Sequence, residues 1–467
     1  MTDDVPLWRL GATEILARYR AGTLAPRALL ESCLARLAQV QPALNAFVAL
    51  REDAARAEAD ASGARWRAGT PIGTLDGIPL AAKDNLPTAD LPTTWGCVAL
   101  AGHRTAHDEL AVARARAAGA ILVGKTNVPE FTLEGYTSNR LFGTTRNPWN
   151  PALTPGGSSG GAVAAVASGM VPLALGTDGG GSIRRPASHT GLVGFKPSIG
   201  AVAREHMLPP LLLDFEVVGP MARSVADARL LFDAVRGPSA GDRRSLAAHA
   251  ARKPLPAALR VLYVPTLDDA PVDPQIATSC RRAATRLRDL GHEVREGVLP
   301  LDLGVMTRQW PIVGQMGLAA MFERHPAWKT SASAKYLEMA AQGGAQPVPV
   351  LWNLIETVEQ LRRDAARLFT QVDLIVTPSA AALPWAAEDA FPSTIDGRPV
   401  GPRGHAIFTG WVNAAGLPAL ALPAEPAAAG LPIGIQLIGD YGSDDALLAL
   451  GAALEAQAPW TGRWPPV

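Results

Sequence analysis

An α/β layered fold is what this sequence predicts, on three observations. Helix-period and strand-like stretches alternate along most of the chain, the rhythm of layered α/β proteins. Hydrophobic residues make up 48% and charged residues 18%, enough apolar material for a large core and far from the balance of disordered chains. The length, 467 residues, fits about three domains at roughly 150 residues each, or one large layered structure.

Taken in order, residues 26–60 repeat apolar side chains at helical spacing (Leu29, Leu30, Cys33, Leu34, Leu37, then Ala54, Ala55, Ala59), which predicts two amphipathic helices joined through Pro42. Residues 74–83 read as a turn and a short buried strand. Residues 109–118 read as a helix leading into an apolar strand, 120–123, that ends at a Gly124 turn. A small-residue helix follows at 160–168 and a strand at 171–175. Helices are predicted at 224–235 and 275–290, with a strand at 260–264 between them. Between about 237 and 256 charge, Ala, Gly and Pro replace the periodicity, which fits a linker or a surface excursion. Residues 303–349 hold Trp310, Met316, Met321, Phe322, Trp328, Tyr336 and Met339, a helical cap lining a pocket or plain core. Strand character returns at 372–377, 419–422 and 433–438, and a helix closes the chain at 445–455. There is no internal repeat.

Lys and Arg number 43 and Asp and Glu 43, so no global field is available to hold a phosphate backbone or an acidic membrane surface. Cys33, Cys97 and Cys280 are odd in number and far apart, which argues against a disulfide framework or a Cys-based zinc site and fits a reducing compartment. The start, MTDDVPLWRLGATEIL, has neither a basic n-region nor a continuous apolar run, so no signal peptide is expected. The longest bland run, 160–176, is broken by Ser168, Gly169 and Pro172 and falls short of the ~20 apolar residues of a spanning helix. A soluble, cytoplasmic protein with neither nucleic acid nor membrane as partner is the expectation.

Residues 119–126, GAILVGKT, match the P-loop pattern, but a working P-loop lies between a strand and a helix, whereas here the intervening residues are themselves the strand. His103 and His107 sit in a polar, glycine-bearing stretch with no third ligand and read as solvated. A Ser-His-Asp arrangement using His189 or His206 lacks any GxSxG elbow.

The informative stretch is 154–197, TPGGSSGGAVAAVASGMVPLALGTDGGGSIRRPASHTGLVGFKP. It carries two serine-bearing glycine turns, GGSSGG around Ser158 and GTDGGGS ending at Ser182. Consecutive glycines can aim several backbone N–H groups at one point, as a developing oxyanion requires. Tight turns with solvated serines fit the same residues.

This stretch resembles the amidase signature family of serine hydrolases, which use a Ser-cisSer-Lys triad. GTLDGIPLAAKDNL, upstream, resembles the family's lysine motif, and 75 residues separate Lys83 from Ser158 and 24 separate Ser158 from Ser182, as in that family. AGAILVGKTNVPEF, FGTTRNPWNP, GPMARSVADA, FTGWVNAAGLPALALP and GLPIGIQLIG follow in family order, so the resemblance runs from about residue 29 to 455. It implies one α/β/α domain over 1–467, with a large mixed sheet of about eleven strands covered by helices, core motifs at about 70–235 and 370–455, and 237–350 shaping the pocket. It implies Ser182 as nucleophile, Ser158 as proton relay and Lys83 as base. Gly179, Gly180 and Gly181, with the Ser182 N–H, would form the oxyanion hole, and Ser159, Thr177, Asp178, Arg184 and Lys196 would support it. No cofactor and no metal are implied. Lysine has a pKa of about 10.4 in water, so burial must lower that of Lys83 toward roughly 7 to 8 for it to act as a base. The family commonly has a larger residue at the position of Gly179, and whether the glycine widens or loosens the acyl pocket is open.

Among the family's reactions, the cues NRLFGTTRNPWN and GSDDALLALGAALE are similar to the indoleacetamide and mandelamide hydrolases. Trp310, Met316, Phe322 and Trp328 could wall an apolar pocket, so the leading expectation is hydrolysis of an apolar or aryl primary amide or anilide, with carbamates (urethanes) also open. The alternative is the glutaminase component of a tRNA-dependent amidotransferase. In that component, the residue just before the IxT of this region is usually an acid that helps hold the glutamine amino group; this chain has Ala406 there. Small-molecule substrate and water are the expected partners, in a monomer or homodimer.

Overall fold

Short apolar runs assemble into one eleven-stranded mixed sheet in the computed structural model, which describes residues 5–467; residues 1–4 of the start read as leaderless lie outside the described residues. The strands are β1 Phe47–Leu50, β2 Pro79–Lys83, β3 Ile121–Thr126, β4 Leu173–Asp178, β5 Val193–Lys196, β6 Val217–Ala222, β7 Arg260–Tyr263, β8 Glu293–Glu296, β9 Leu374–Pro378, β10 Ala419–Pro423 and β11 Gly434–Ile438. Their spatial order is β1-β3-β2-β4-β6-β5-β10-β11-β9-β7-β8. β3, β2 and β4 are parallel, the strands from β4 through β9 pair antiparallel, and β9, β7 and β8 are parallel again.

Period-2 alternation divides the core between the two faces of the sheet. Leu80 and Ala82 of β2, Leu122 of β3, and Leu173 and Leu175 of β4 join a cluster that includes residues of the helices Ala12–Arg20, Val225–Val235, Pro274–Asp289 and Asp444–Gln457. Ala81, Ile121, Val123 and Ala174 turn to the other face, against the helices Pro26–Leu44 and Gly160–Ala167. Cover on both faces is why β2, β3 and β4 are buried along their whole length. The helix Gly160–Ala167 is built of small residues because its backbone lies directly on its neighbours: a Cβ at Gly161 would stand 2.4 Å from the Asn127 nitrogen.

Three expectations are corrected. Pro42 does not separate two helices; it lies inside the last turn of Pro26–Leu44, and left-handed Asn45 (φ 50°) ends the helix before the unforeseen edge strand β1. Gly124 is no turn: β3 runs through it to Thr126, pairing with Leu50 and Ala81, and a Cβ there would meet the Ala49 carbonyl oxygen at 2.1 Å. The stretch 237–256 contains the helix Arg243–Ala250. β5, β6 and β8 were not anticipated, because VGFK is short, VVGPMA carries Gly and Pro, and EVRE is a charged edge strand. The segment expected to form a cap is helical, with Gly304–Arg324 and Ala334–Gly344 packed against each other.

The P-loop match forms no phosphate cradle. Lys125 is fully buried in β3, where its Nζ donates to the Leu86 carbonyl (2.6 Å) and Thr93 Oγ1 (2.9 Å) and lies 3.5 Å from Asp84. Among the described residues, no cluster of three His, Cys, Asp or Glu side chains is placed to hold a metal ion, and no helix is long and apolar enough to cross a membrane.

Candidate active site

Lys83 ends β2, and Thr177 and Asp178 end β4, its parallel neighbour, so all three are delivered to the same edge of the sheet. Open α/β sheets bind ligands at this carboxyl edge. Ser158 lies in the turn that enters the helix Gly160–Ala167, on the face toward which Ala81 points, and Ser182 lies in the turn from β4 into the helix Arg184–Thr190. The Ser159 N–H donates to the Ser182 carbonyl (3.3 Å) and locks the two turns together. The Gly157–Ser158 peptide bond is cis.

Lys83 has no exposed surface, and its Nζ has three neighbours: Ser158 Oγ at 2.7 Å, Thr177 Oγ1 at 2.9 Å and the Thr177 carbonyl at 3.1 Å. Burial pushes its pKa from the ordinary lysine value down to about 7, against the pull of Glu216 and Asp178 upward and with Arg204 and Arg185 pushing the same way as burial. A neutral amine has two N–H donors and one lone pair. The two Thr177 oxygens take the donors, which leaves the lone pair for the Ser158 hydroxyl. Asn85 steadies this arrangement, its Nδ2 donating to Thr177 Oγ1 (3.0 Å). Behind it, Arg204 pairs with Glu216 and Glu109, each at 2.6 Å, so that the Glu216 charge near Lys83 is balanced.

The turn that carries Ser182 hangs on Asp178. Its carboxylate accepts from the N–H groups of Gly181 (2.6 Å) and Ile183 (3.0 Å), from Arg184 Nη2 (2.9 Å) and Nε (3.0 Å), and from Asn413 Nδ2 (3.0 Å). Burial alone would raise this carboxyl; the Arg184 guanidinium, helped by Lys196 and the Ile183 N–H, holds it far below the usual carboxylate range. Arg184 also reaches Gln436 Oε1 (2.6 Å) and the Thr409 carbonyl (3.1 Å). Of the glycines expected to donate to an oxyanion, Gly181 therefore has its N–H committed to Asp178, and its φ of +112° with no room for a Cβ beside Thr409 suits only glycine. Gly179 and Gly180 lie in the same turn. A Cβ at Gly179 would stand 2.5 Å from Leu212 Cδ1, so Leu212 occupies the space of the missing side chain and the glycine does not leave the pocket wider. Ser159 donates to the Thr177 carbonyl (3.3 Å), and Lys196 to the Pro197 and Leu417 carbonyls (2.9 and 2.6 Å).

A cavity of about 450 Å³ opens on Ser182 and Gly180, walled by Leu133, Leu212, Trp310, Met339 and Phe391. Trp310 is in this wall as expected. Met316 is not, Phe322 packs on Phe131 in a separate core cluster, and Trp328 stacks on His325. Ala406 borders an adjoining cavity that shares Trp310 and Arg403. Asn85, Arg204, Glu216, Thr409, Asn413 and Gln436 were missed at the sequence level, although FTGWVNAAGLP and GLPIGIQLIG contain the last three and marked the regions.

The Amidase family matches residues 28–448. The A component of the glutamyl-tRNA(Gln) amidotransferase of Cyanothece sp. is 34% identical over 93% of this chain and 95% of that protein. A bacterial aryl acylamidase of the amidase signature enzymes superposes with a TM-score of 0.88 at 29% identity, covering 98% of each chain. The 6-aminohexanoate cyclic dimer hydrolase gives 0.85 at 30%, covering 99% of each. A match that spans nine-tenths of the sequence and recurs across the whole sheet leaves one conclusion: this chain belongs to the amidase signature family, a hydrolase acting on amide C–N bonds.

Proposed function

We propose that the chain cleaves an apolar or aryl amide, anilide or carbamate through an acyl-enzyme on Ser182. The observation that carries the reading is the 2.7 Å contact between a fully buried lysine amine and the Ser158 hydroxyl, beside an apolar cavity that opens on Ser182. Ser182 Oγ attacks the carbonyl carbon while its proton passes to Ser158 and the Ser158 proton passes to the Lys83 lone pair. The developing oxyanion is taken by the N–H groups of Gly179 and Gly180, with that of Ser182. Collapse breaks the C–N bond, and the relay run backward protonates the departing amine. Water, deprotonated through the same chain, hydrolyses the ester and frees the acid.

Lys83 works only as the neutral amine, and its pKa is lowered to about 7. The neutral fraction therefore grows as pH rises through that value. We expect kcat/KM to climb tenfold per pH unit well below 7 and to level off above it; a profile flat from pH 5 to 8 would sink the lysine-base reading.

A second reading, the glutaminase component of a tRNA-dependent amidotransferase, is favoured by the near full-length similarity to several such proteins. Against it stands Ala406 where that component usually has its amino-holding acid. Hydrolysis of a panel of anilides, primary amides, carbamates and glutamine separates the two. Turnover of apolar members by the isolated chain supports the first reading; glutamine alone, and only with the other amidotransferase components added, supports the second.

A further inference from the structure

The cavity on Ser182 is not only apolar. Its lining carries three cations, Arg185, Lys335 and Arg403, against one acid, Glu134. Glu134 is already spent on Lys335 (2.8 Å), which also donates to the Tyr136 hydroxyl (2.9 Å). That leaves the two arginines. Arg185 is buried, donates to the Gly180 carbonyl and to Thr409 Oγ1 (3.0 Å), and leaves its buried Nε with no partner. Arg403, half-buried, has no side-chain hydrogen bond and no ion pair among the described residues. It lies over the Trp310 ring, 5.1 Å from the centroid, where this cavity meets the adjoining one.

Such a wall is costly in the free enzyme. Two like charges close together in a medium of low dielectric repel, and a guanidinium out of bulk water needs acceptors. Burial holds Arg403 below the ordinary guanidinium value, at about 10; burial and then the Arg403 charge bring Arg185 to about 9. Arg185 has a use without a ligand, since it pins the Gly180 carbonyl of the nucleophile turn. Arg403 touches no part of that machinery. Gly410 lies beside Arg403 and Trp310: a Cβ there would stand at ordinary contact distance, 3.4 Å, from Arg403 Nη2 and from the Trp310 ring.

We infer that the substrate carries an anionic group, a carboxylate in its simplest form, which Arg403 binds with the field of Arg185 behind it, while the apolar wall takes the body of the molecule and Ser182 attacks the amide. This rests on the hydrolase reading above and narrows it to amides with an acidic terminus. A guanidinium offers a planar fork that matches a carboxylate, and Trp310 holds that fork in place. The acid can belong to the acyl part or to the departing amine.

Both sources can be tried. The 4-nitroanilide of glutaric acid carries the carboxylate on the acyl side, with its methyl ester as neutral twin; N-acetyl-5-amino-2-nitrobenzoate carries it on the amine side, with 4-acetamidonitrobenzene as its twin. We expect the acid in at least one pair to be preferred in kcat/KM by about tenfold or more, and the preference to fall at least tenfold in Arg403→Gln and to return in part in Arg403→Lys. Calorimetric titration of the unreacting ligands 4-phenylbutyrate and 4-phenylbutanol, on wild type and Arg403→Gln, reads the same preference without turnover. If wild type shows no preference for the acid in either experiment, or if Arg403→Gln keeps it in full, the anion site is wrong. If the acid binds preferentially through Arg403 but no amide is cleaved, the anion site stands and the hydrolase reading falls.

Discussion

Replacing Ser182 with alanine is expected to lower amide hydrolysis by a factor of about 10⁴ or more and to abolish the covalent adduct formed with a fluorophosphonate, measured on the intact protein by mass. Lys83→Ala should fall by a comparable factor. Residues that act as one unit are not additive, so the double variant should be little worse than either single one. The structural reason is the continuous path from Lys83 Nζ to Ser158 Oγ and the backbone bond that holds the two serine turns together. Lys83→Arg should not rescue, because a guanidinium keeps its proton at any working pH and is larger than the closed space around Nζ. An adduct that persists in Ser182→Ala would move the nucleophile elsewhere; hydrolysis that survives Lys83→Ala within tenfold would remove the lysine from the relay.

Asp178→Ala is expected to be the most damaging single change to stability, at about 3–5 kcal/mol, because it leaves the buried Arg184 charge without its counter-ion. It also strands the Gly181 and Ile183 N–H groups and the Asn413 amide that converge on the carboxylate. Thermal inactivation and a denaturation midpoint followed side by side would measure it. Arg184→Met should be comparably destabilising, and Asp178→Leu/Arg184→Met together less so than the sum of the two, since the pair is coupled. The carboxyl is held below its unfolded value, so this stabilisation is present above about pH 4 and is lost only as pH falls toward the lowered folded value. A loss under about 1 kcal/mol for Asp178→Ala would show that the ring of donors around it is dispensable.

Much of the candidate site was legible because its stretches resemble family motifs, each of them continuous in sequence. Two glycine turns bearing Ser158 and Ser182, and an apolar run ending in Lys83, carry their own backbone logic, and the structure brings the three stretches to one edge of the sheet. The strands between residues 79 and 178 were legible for a related reason: both faces are covered, so each is an apolar run. β8 was not legible, because an edge strand with four largely charged residues makes no pattern without its neighbour β7. Gly124 misled because glycine serves turns and close strand approach alike, and only the Ala49 carbonyl at its back distinguishes them.

The sequence by itself determined the α/β layering and, through motifs that resemble it, the family, and it pointed to Lys83, Ser158 and Ser182 as the residues proposed to carry the chemistry. Only the tertiary structure decided that Gly181 gives its N–H to Asp178, that Leu212 fills the space beside Gly179, and that Trp310, but not Phe322 or Trp328, walls the cavity. The same holds for Asn413 and Gln436 around Arg184, and for Arg403 standing above Trp310 with no ion pair among the described residues. Those contacts join residues up to 252 positions apart. Hydrogen bonding, burial and charge balance depend on distances in space, and a chain reveals them only once the sheet has brought its distant turns together.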